Sequence, residues 1–282
     1  MKKVWFITGA SRGLGFDIAA AALRAGDMVV ATGRTIDGLA DSLGEHGERL
    51  HVVALDVTDP DAAVRAVQEA TARFGRIDVL VNNAGRAQLG WFETISDEHV
   101  RAQFDTNLFG AMHVTRAVLP SMRAHRAGLI VTISSVNGLV ANPGGSVYSA
   151  SKFALEGWIE GLAQEIESLG IKSLIIEPGM MNTDFLDPQS ARHGDIDIPE
   201  YAEAIAQFQA FIKDANHRQP GDPAVLATTI VELAALPRPP QRYIFGDDAL
   251  NWTSGKLDQL KEQLDRSSDI ANSIADRGTV DA

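Results

Sequence analysis

Cysteine is absent from the 282 residues, which removes disulfides, thiolate metal sites and a cysteine nucleophile together. Histidine is sparse at seven residues, none at ligand-like spacing, and no run of carboxylates resembles a metal cage, so no metal is expected. Long apolar runs are missing too. After Met1-Lys2-Lys3 the stretch Val4-Trp5-Phe6-Ile7 is too short for a signal-peptide core, and nothing later approaches the roughly 18 residues of a membrane span. A cytoplasmic protein with no membrane partner is expected. Positive charge is in deficit, 25 Lys and Arg against 37 Asp and Glu for a net −12, which argues against a general nucleic-acid surface while leaving room for a local basic pocket. Repeats, low-complexity tracts and interdomain linkers are lacking, and 45% hydrophobic with 22% charged residues fits one globular domain over 1–282.

What is present is an alternation of strand and helix patterns. Val4 to Ile7 reads as a buried strand, followed by Thr8-Gly9-Ala10-Ser11-Arg12-Gly13-Leu14-Gly15 and an apolar-periodic helix from Phe16 to Ala25. Glycines let a backbone approach a pyrophosphate, and the helix N-terminus behind them offers unpaired N–H groups and a positive dipole end. Asp27 to Thr32 is a second strand, ending at Gly33-Arg34 where an NAD site would usually offer an acid to the ribose hydroxyls. Arg34 with Arg12 could instead flank a 2′-phosphate, which favours NADP(H), with NAD(H) the alternative. Leu50 to Leu55 is a third strand, with Asp56-Val57 at its end as a candidate adenine contact. Asp59-Pro60 caps the next helix, Asp61 to Phe74.

Arg76 to Val81 makes a fourth strand and leads to Asn82-Asn83-Ala84-Gly85, small and amide residues suited to a backbone passing close to a ligand. Ser96 to Arg123 reads as one long helix carrying Asn107. Leu129 to Ile133 is the fifth strand, closed by Ser134-Ser135, and a helix follows from Val147-Tyr148 through Leu169. Lys172 to Ile176 is the sixth strand, before Pro178-Gly179 and Thr183. Pro188, Gly194 and Pro199 punctuate an insertion at about 184–221, whose helical pattern from Glu200 to Lys213 suggests a cover over substrate. A helix from Pro223 through Ala235, a final strand Arg242 to Phe245 and an amphipathic C-terminal helix with Leu250, Leu257, Leu260 and Leu264 complete the chain, with fraying expected after Arg266. The rhythm predicts an α/β fold with a doubly wound parallel sheet of about seven strands and helices on both faces.

Chemistry is suggested by Tyr148 and Lys152, which lie one turn apart on one helix face. A phenol ionises near pH 10, and a nearby cation favours the phenolate, so Lys152 could bring Tyr148 toward useful proton exchange. Ser134-Ser135 places a hydroxyl at the carboxyl edge of the sheet, where open α/β sheets bind ligands.

In this order and spacing the motifs resemble the short-chain dehydrogenase/reductase family over residues 3 to 246. The match rests on the glycine loop, Asp56-Val57, Asn82 to Gly85, Asn107, Ser135, Tyr148-x-x-x-Lys152 and Pro178-Gly179 through Thr183. The resemblance implies a single-domain Rossmann fold and an oxidoreductase of CH–OH and C=O groups. It implies Tyr148 as acid or base, with Lys152 lowering its pKa and holding the nicotinamide ribose. Ser135, rather than Ser134, would hydrogen-bond the substrate oxygen. Asn107 would hold a water relaying protons to Lys152, Thr183 and the backbone near Gly179 would fix the carboxamide, and Asn83 would line the cofactor site. It also implies homodimers or homotetramers built through the helices at 96–123 and 148–169.

Leu89, Trp91, Phe92, Leu139, Val140, Met180, Met181, Phe185 and Leu186 are expected to border an apolar substrate pocket, suiting a bulky ketone or secondary alcohol. The insertion and Ala31-Thr32-Gly33-Arg34 resemble hydroxysteroid- and retinol-type members of the family, which implies a substrate of that kind. Two other functions compete. An NADP(H)-binding sensor or scaffold would need the glycine loop but not Ser135, Tyr148 and Lys152. An epimerase or dehydratase would need a longer C-terminal substrate domain than the residues after Asp222 supply.

Overall fold

The computed structural model describes residues 2–187 and 190–278, with side chains to 271. Pro188 and the end of the tail lie outside the described residues. Nine strands form in chain order among them: β1 Val4–Ile7, β2 Met28–Gly33, β3 Leu50–Ala54, β4 Val79–Asn82, β5 Ala87–Gln88, β6 Gly128–Ile133, β7 Ile171–Pro178, β8 Ala191–Arg192 and β9 Arg242–Phe245. The α-helices are α1 Gly13–Arg24, α2 Leu39–Leu43, α3 Pro60–Phe74, α4 Asp97–Phe104, α5 Gly110–His125, α6 Ser146–Glu167, α7 Ala202–Ala215, α8 Pro223–Ala235 and α9 Asp247–Gly278.

Seven strands make one parallel sheet in the order β3-β2-β1-β4-β6-β7-β9, the doubly wound arrangement the sequence predicts. Its strands are near-continuous apolar runs because both faces are covered. Alternate side chains enter separate cores. Trp5, Ile7, Val29, Val131 and Ile176 pack against α1 and α8, whereas Phe6, Val30, Leu80, Ile130 and Ile175 pack against α3, α5 and α6. The chain leaves β1 for β2 on one side and returns to β4 on the other, so the loops after β1 and β4 diverge and open a crevice at the sheet's carboxyl edge.

Local chemistry sets the helix starts. Asp59 accepts from the amides of Asp61 at 2.8 Å and Ala62 at 3.1 Å, with Pro60 opening α3. Asp222 does the same for Ala224 at 2.8 Å ahead of Pro223 and α8.

Four expectations need correction. The helix over 96–123 is interrupted by a π turn at Asp105–Phe109, with Asn107 inside it. The fourth strand begins at Val79, not Arg76, because the Asp78 carboxylate caps the ladder by accepting from the Val4 amide at 2.9 Å. The 184–221 segment contains β8, which pairs with β5 in a separate small sheet, so it is less irregular than its prolines suggest. Helix α9 runs past Arg266 to Gly278 rather than fraying there, and it leaves Leu257, Leu260 and Leu264 exposed.

Candidate active site

A cavity of about 700 Å³ occupies the crevice and runs from the end of β2 to the start of α6. Its floor is the glycine loop. Gly9 has φ +65°, and a β carbon on Gly15 would stand 2.4 Å from both the Gly9 carbonyl oxygen and Asn83 Nδ2, so the turn admits only glycine there. Asn83 braces the loop, donating to the Thr8 and Gly9 carbonyls at 2.9 and 3.1 Å. Thr8 Oγ1 in turn accepts from the amides of Asn83 and Ala84. Helix α1 begins without a side-chain cap, leaving its first N–H groups for an anion.

Around this floor stand Ser11, Arg12, Gly13 and Leu14, with Arg34 at the end of β2 and Asp56 and Val57 after β3. Ala84 and Gly85 follow β4, and Pro178, Gly179 and Thr183 follow β7. Gly179 is pressed against the Asp248 carboxylate, where a β carbon would lie 2.2 Å from Oδ1. Asp248 Oδ2 accepts from the Met180 amide at 2.7 Å, so the start of α9 fixes this loop. These residues fit a dinucleotide: a glycine cradle, a free helix N-terminus and guanidinium groups share one wall.

At the other end Tyr148, Lys152 and Ser135 converge, all buried at 8, 6 and 8% exposure. The Ser135 hydroxyl lies near enough to the phenol to favour its ionised form, and its Oγ accepts from the Asn137 amide at 3.1 Å. Ser134 instead lies against Gly138, where a β carbon would meet its Oγ at 2.7 Å. The Lys152 ammonium donates to the Ile133 carbonyl at 2.9 Å and sits 5.9 Å from the Tyr148 ring centre. Burial dominates both pKa values: it pushes the Tyr148 phenol up to about 12 against the Ser135 hydrogen bond. It also draws Lys152 down to about 8 against the pull of Glu156. The lowering of the phenol by Lys152 that the sequence suggests is not found in the folded protein, where desolvation dominates and Tyr148 is protonated at neutral pH.

Asn107 lies behind the cavity wall. Its amide nitrogen donates to the Arg86 carbonyl at 3.0 Å and to Ser151 Oγ at 3.2 Å, and its oxygen accepts from the Arg86 amide at 2.9 Å.

Of the expected substrate wall, Leu89, Met180, Met181, Phe185 and Leu186 reach the cavity, and Phe185 packs on Tyr148 with ring centres 5.8 Å apart. Trp91 does not. It packs on Phe208 and Tyr201, and Phe92 points outward at 65% exposure. Leu139 and Val140 also fall outside the lining, because the turn at Val136–Gly138 carries them past it. Sequence reasoning missed Phe208, Phe211 and Ile212 of α7 and Trp252 of α9, whose helical spacing alone does not tell a cavity wall from a core face. It also missed Arg86, Arg192 and Gln219 on the lining; the buried side-chain amide of Gln219 makes no hydrogen bond among the described residues. Arg12 is drawn partly to Ser190, its Nη2 donating to Oγ at 2.8 Å. One turn beyond Lys152, Glu156 joins Glu160 and Glu177 around the Arg242 guanidinium, a cluster no local motif announces. Asp184, Asp187 and His217 also meet where the insertion folds back, with His217 and Asp187 3.2 Å apart; no sequence spacing foretold this.

A doubly wound sheet with a glycine-lined crevice ending at a buried phenol, ammonium and hydroxyl defines the class to which comparison with known proteins gives a name. A family model described as short chain dehydrogenase matches residues 3–194, and the chain belongs to that family of oxidoreductases. It is similar to the 3-ketodihydrosphingosine reductase of Bacteroides thetaiotaomicron, at 34% identity over 85% of this chain and 86% of the relative. The crystal structure of a short-chain dehydrogenase from Streptomyces avermitilis superposes with TM-score 0.88 at 39% identity, covering 97% of this chain and 99% of that one. An alcohol dehydrogenase from the archaeon Thermococcus sibiricus, complexed with 5-hydroxy-NADP, superposes with TM-score 0.71 at 25% identity over 87% of this chain and 96% of that one.

Proposed function

We propose that the protein is an NADP(H)-dependent carbonyl reductase and secondary-alcohol dehydrogenase whose substrate has a bulky apolar body. The observation that carries this reading is the placing of Ser135, Tyr148 and Lys152 at the apolar end of the cavity whose other end holds the glycine loop and Arg34. When bound, the nicotinamide supplies a hydride to a carbonyl carbon or takes one from an alcohol. The backbone N–H groups at Gly13 to Gly15 hold the pyrophosphate, Arg34 and Arg12 the 2′-phosphate, and Lys152 the ribose hydroxyls. Ser135 donates to the substrate oxygen, and Tyr148 passes its proton to that oxygen as negative charge grows there. Lys152 stabilises the phenolate left behind. Replacement protons reach it from solvent along the Asn107 segment. In the oxidative direction Tyr148 first gives up its proton through the same route and, as the phenolate, takes the hydroxyl proton.

The substrate class follows from the walls. Phe185, Leu186, Phe208 and Ile212 pack around Tyr148 and exclude water from one side of it, and the 184–221 segment supplies all of them as a cover. A relative named for a keto-lipid supports the same reading, and hydroxysteroid- or retinol-like compounds fit it. The test is a panel of ketones and secondary alcohols assayed with NADPH, NADH and their oxidised forms. Turnover of bulky apolar ketones with a strong preference for NADPH is expected. Turnover confined to small, highly charged carbonyls, or equal kcat/KM with both cofactors, would overturn the corresponding part.

A further inference from the structure

Three arginines, from three separate segments, meet on the cavity wall: Arg34 after β2, Arg86 after β4 and Arg192 in β8. In a chain of net charge −12 such a gathering runs against composition. Among the described residues none of the three takes part in an ion pair with a carboxylate. Arg86 is half-buried, and its guanidinium makes one long contact, 3.5 Å to Gln88 Oε1. Burial, then the charges of Arg192 and Arg34, lower its pKa, so the three cations stand close enough to repel.

The small sheet shows which way they face. Ala87 pairs with Ala191 and Gln88 with Arg192. Ala87, Leu89 and Ala191 pack with Tyr148, and side chains alternate along a strand, so Arg86, Gln88 and Arg192 project from the opposite face. Tyr148 lies against the other face, which favours the cofactor end of the crevice over a substrate carboxylate beside the phenol as the partner. The strap is also anchored. Gln88 Nε2 donates to the His193 carbonyl at 3.1 Å, and Ser190 receives Arg12 from the glycine loop.

We propose that Arg86 and Arg192 form, with Arg34, an anion clamp for the phosphates of the cofactor's adenosine half, and that phosphate binding fixes the β5–β8 strap across the crevice. The proposal rests on reading the crevice as a nicotinamide-dinucleotide site. Guanidinium groups bind phosphate oxygens through paired, charge-assisted hydrogen bonds, and a polyanion removes the repulsion among the three.

Calorimetric titration of the full chain with 2′,5′-ADP, ADP and adenosine tests it, comparing native protein with Arg192→Gln and Arg86→Gln. Arg192 is exposed, so its variant folds whatever becomes of the half-buried Arg86. Each substitution is expected to weaken binding of a phosphorylated fragment by about tenfold or more. Adenosine should bind unchanged. A loss confined to 2′,5′-ADP assigns the clamp to the 2′-phosphate, and a loss shared with ADP assigns it to the diphosphate; both support it. Native affinity for both phosphorylated fragments in Arg192→Gln and in Arg86→Gln, or an equal loss for adenosine, would overturn it. Arg34→Gln separates the two readings. If that variant binds 2′,5′-ADP as tightly as native protein while Arg192→Gln still loses ADP, Arg34 is overturned as a member and as the basis of the NADP preference, and Arg86 with Arg192 stands as the clamp.

Discussion

Arg34 closes β2 with its guanidinium exposed, while Arg12, half-buried in the glycine loop, reaches across to Ser190. On the proposed NADP(H) reading, discrimination between the two cofactors falls chiefly on Arg34. Its replacement by alanine should lower kcat/KM for NADPH by about ten- to a hundredfold and leave the value for NADH nearly unchanged, as expected for loss of a charge-assisted contact. An unchanged ratio in steady-state kinetics would show that Arg34 does not read the 2′-phosphate. Gly15 makes a different demand on its position. A methyl group there would collide with the Gly9 carbonyl, which is backbone, and with the Asn83 side-chain amide, which two hydrogen bonds hold in place. Gly15→Ala should cost about 1–3 kcal/mol, seen as a Tm lower by several degrees, and should weaken cofactor binding. A native Tm and native affinity would mean the loop yields more easily than its contacts indicate.

Among elements, β7 carries a charge that the mechanism does not use. Glu177 is fully buried at its end, facing Glu156 and Glu160 of α6 and Arg242 of β9, with Lys152 one helical turn beyond Glu156. Burial, then the Glu156 charge, raises its pKa from 4.5 to about 7. An acid with a raised folded pKa holds more protons folded than unfolded between those two values. Its contribution to stability is therefore complete below the unfolded pKa and is lost as pH rises through the folded one. Glu177→Gln removes that dependence. Relative to native protein its Tm should rise by a few degrees between about pH 5 and about pH 8, by thermal denaturation at each pH. A constant difference across that range would contradict the assignment.

The same scale shows what a sequence can display. The long elements were legible: apolar runs such as Leu129 to Ile133 and the Asp59-Pro60 and Asp222-Pro223 starts announce their structures locally. Two-residue strands such as β5 and β8 have no period to detect, and the π turn at Asn107 changes the hydrogen-bonding offset without changing composition. The glycine loop, Tyr148 and Lys152 were legible because each sits in a fixed local motif. The Arg86–Arg192 face and the Glu177–Arg242 cluster were not, because their members lie 106 and 65 positions apart and meet only when the strands pair.

At the scale of the whole molecule, the described residues include no helix long and apolar enough to cross a membrane. Phe109, at the end of the π turn, and Phe153, on α6, stand 45 and 43% exposed on the two segments expected to meet another subunit. Light scattering should give a dimer or tetramer mass for native protein and a smaller one for Phe153→Asp. A monomer mass for native protein would refute the expectation. The claim on which the functional account depends is that Tyr148 is the proton donor. With saturating NADPH and a bulky apolar ketone, Tyr148→Phe should lower kcat by about two to four orders of magnitude while NADPH affinity stays within about twofold of native. Near-native turnover in that variant would contradict the account.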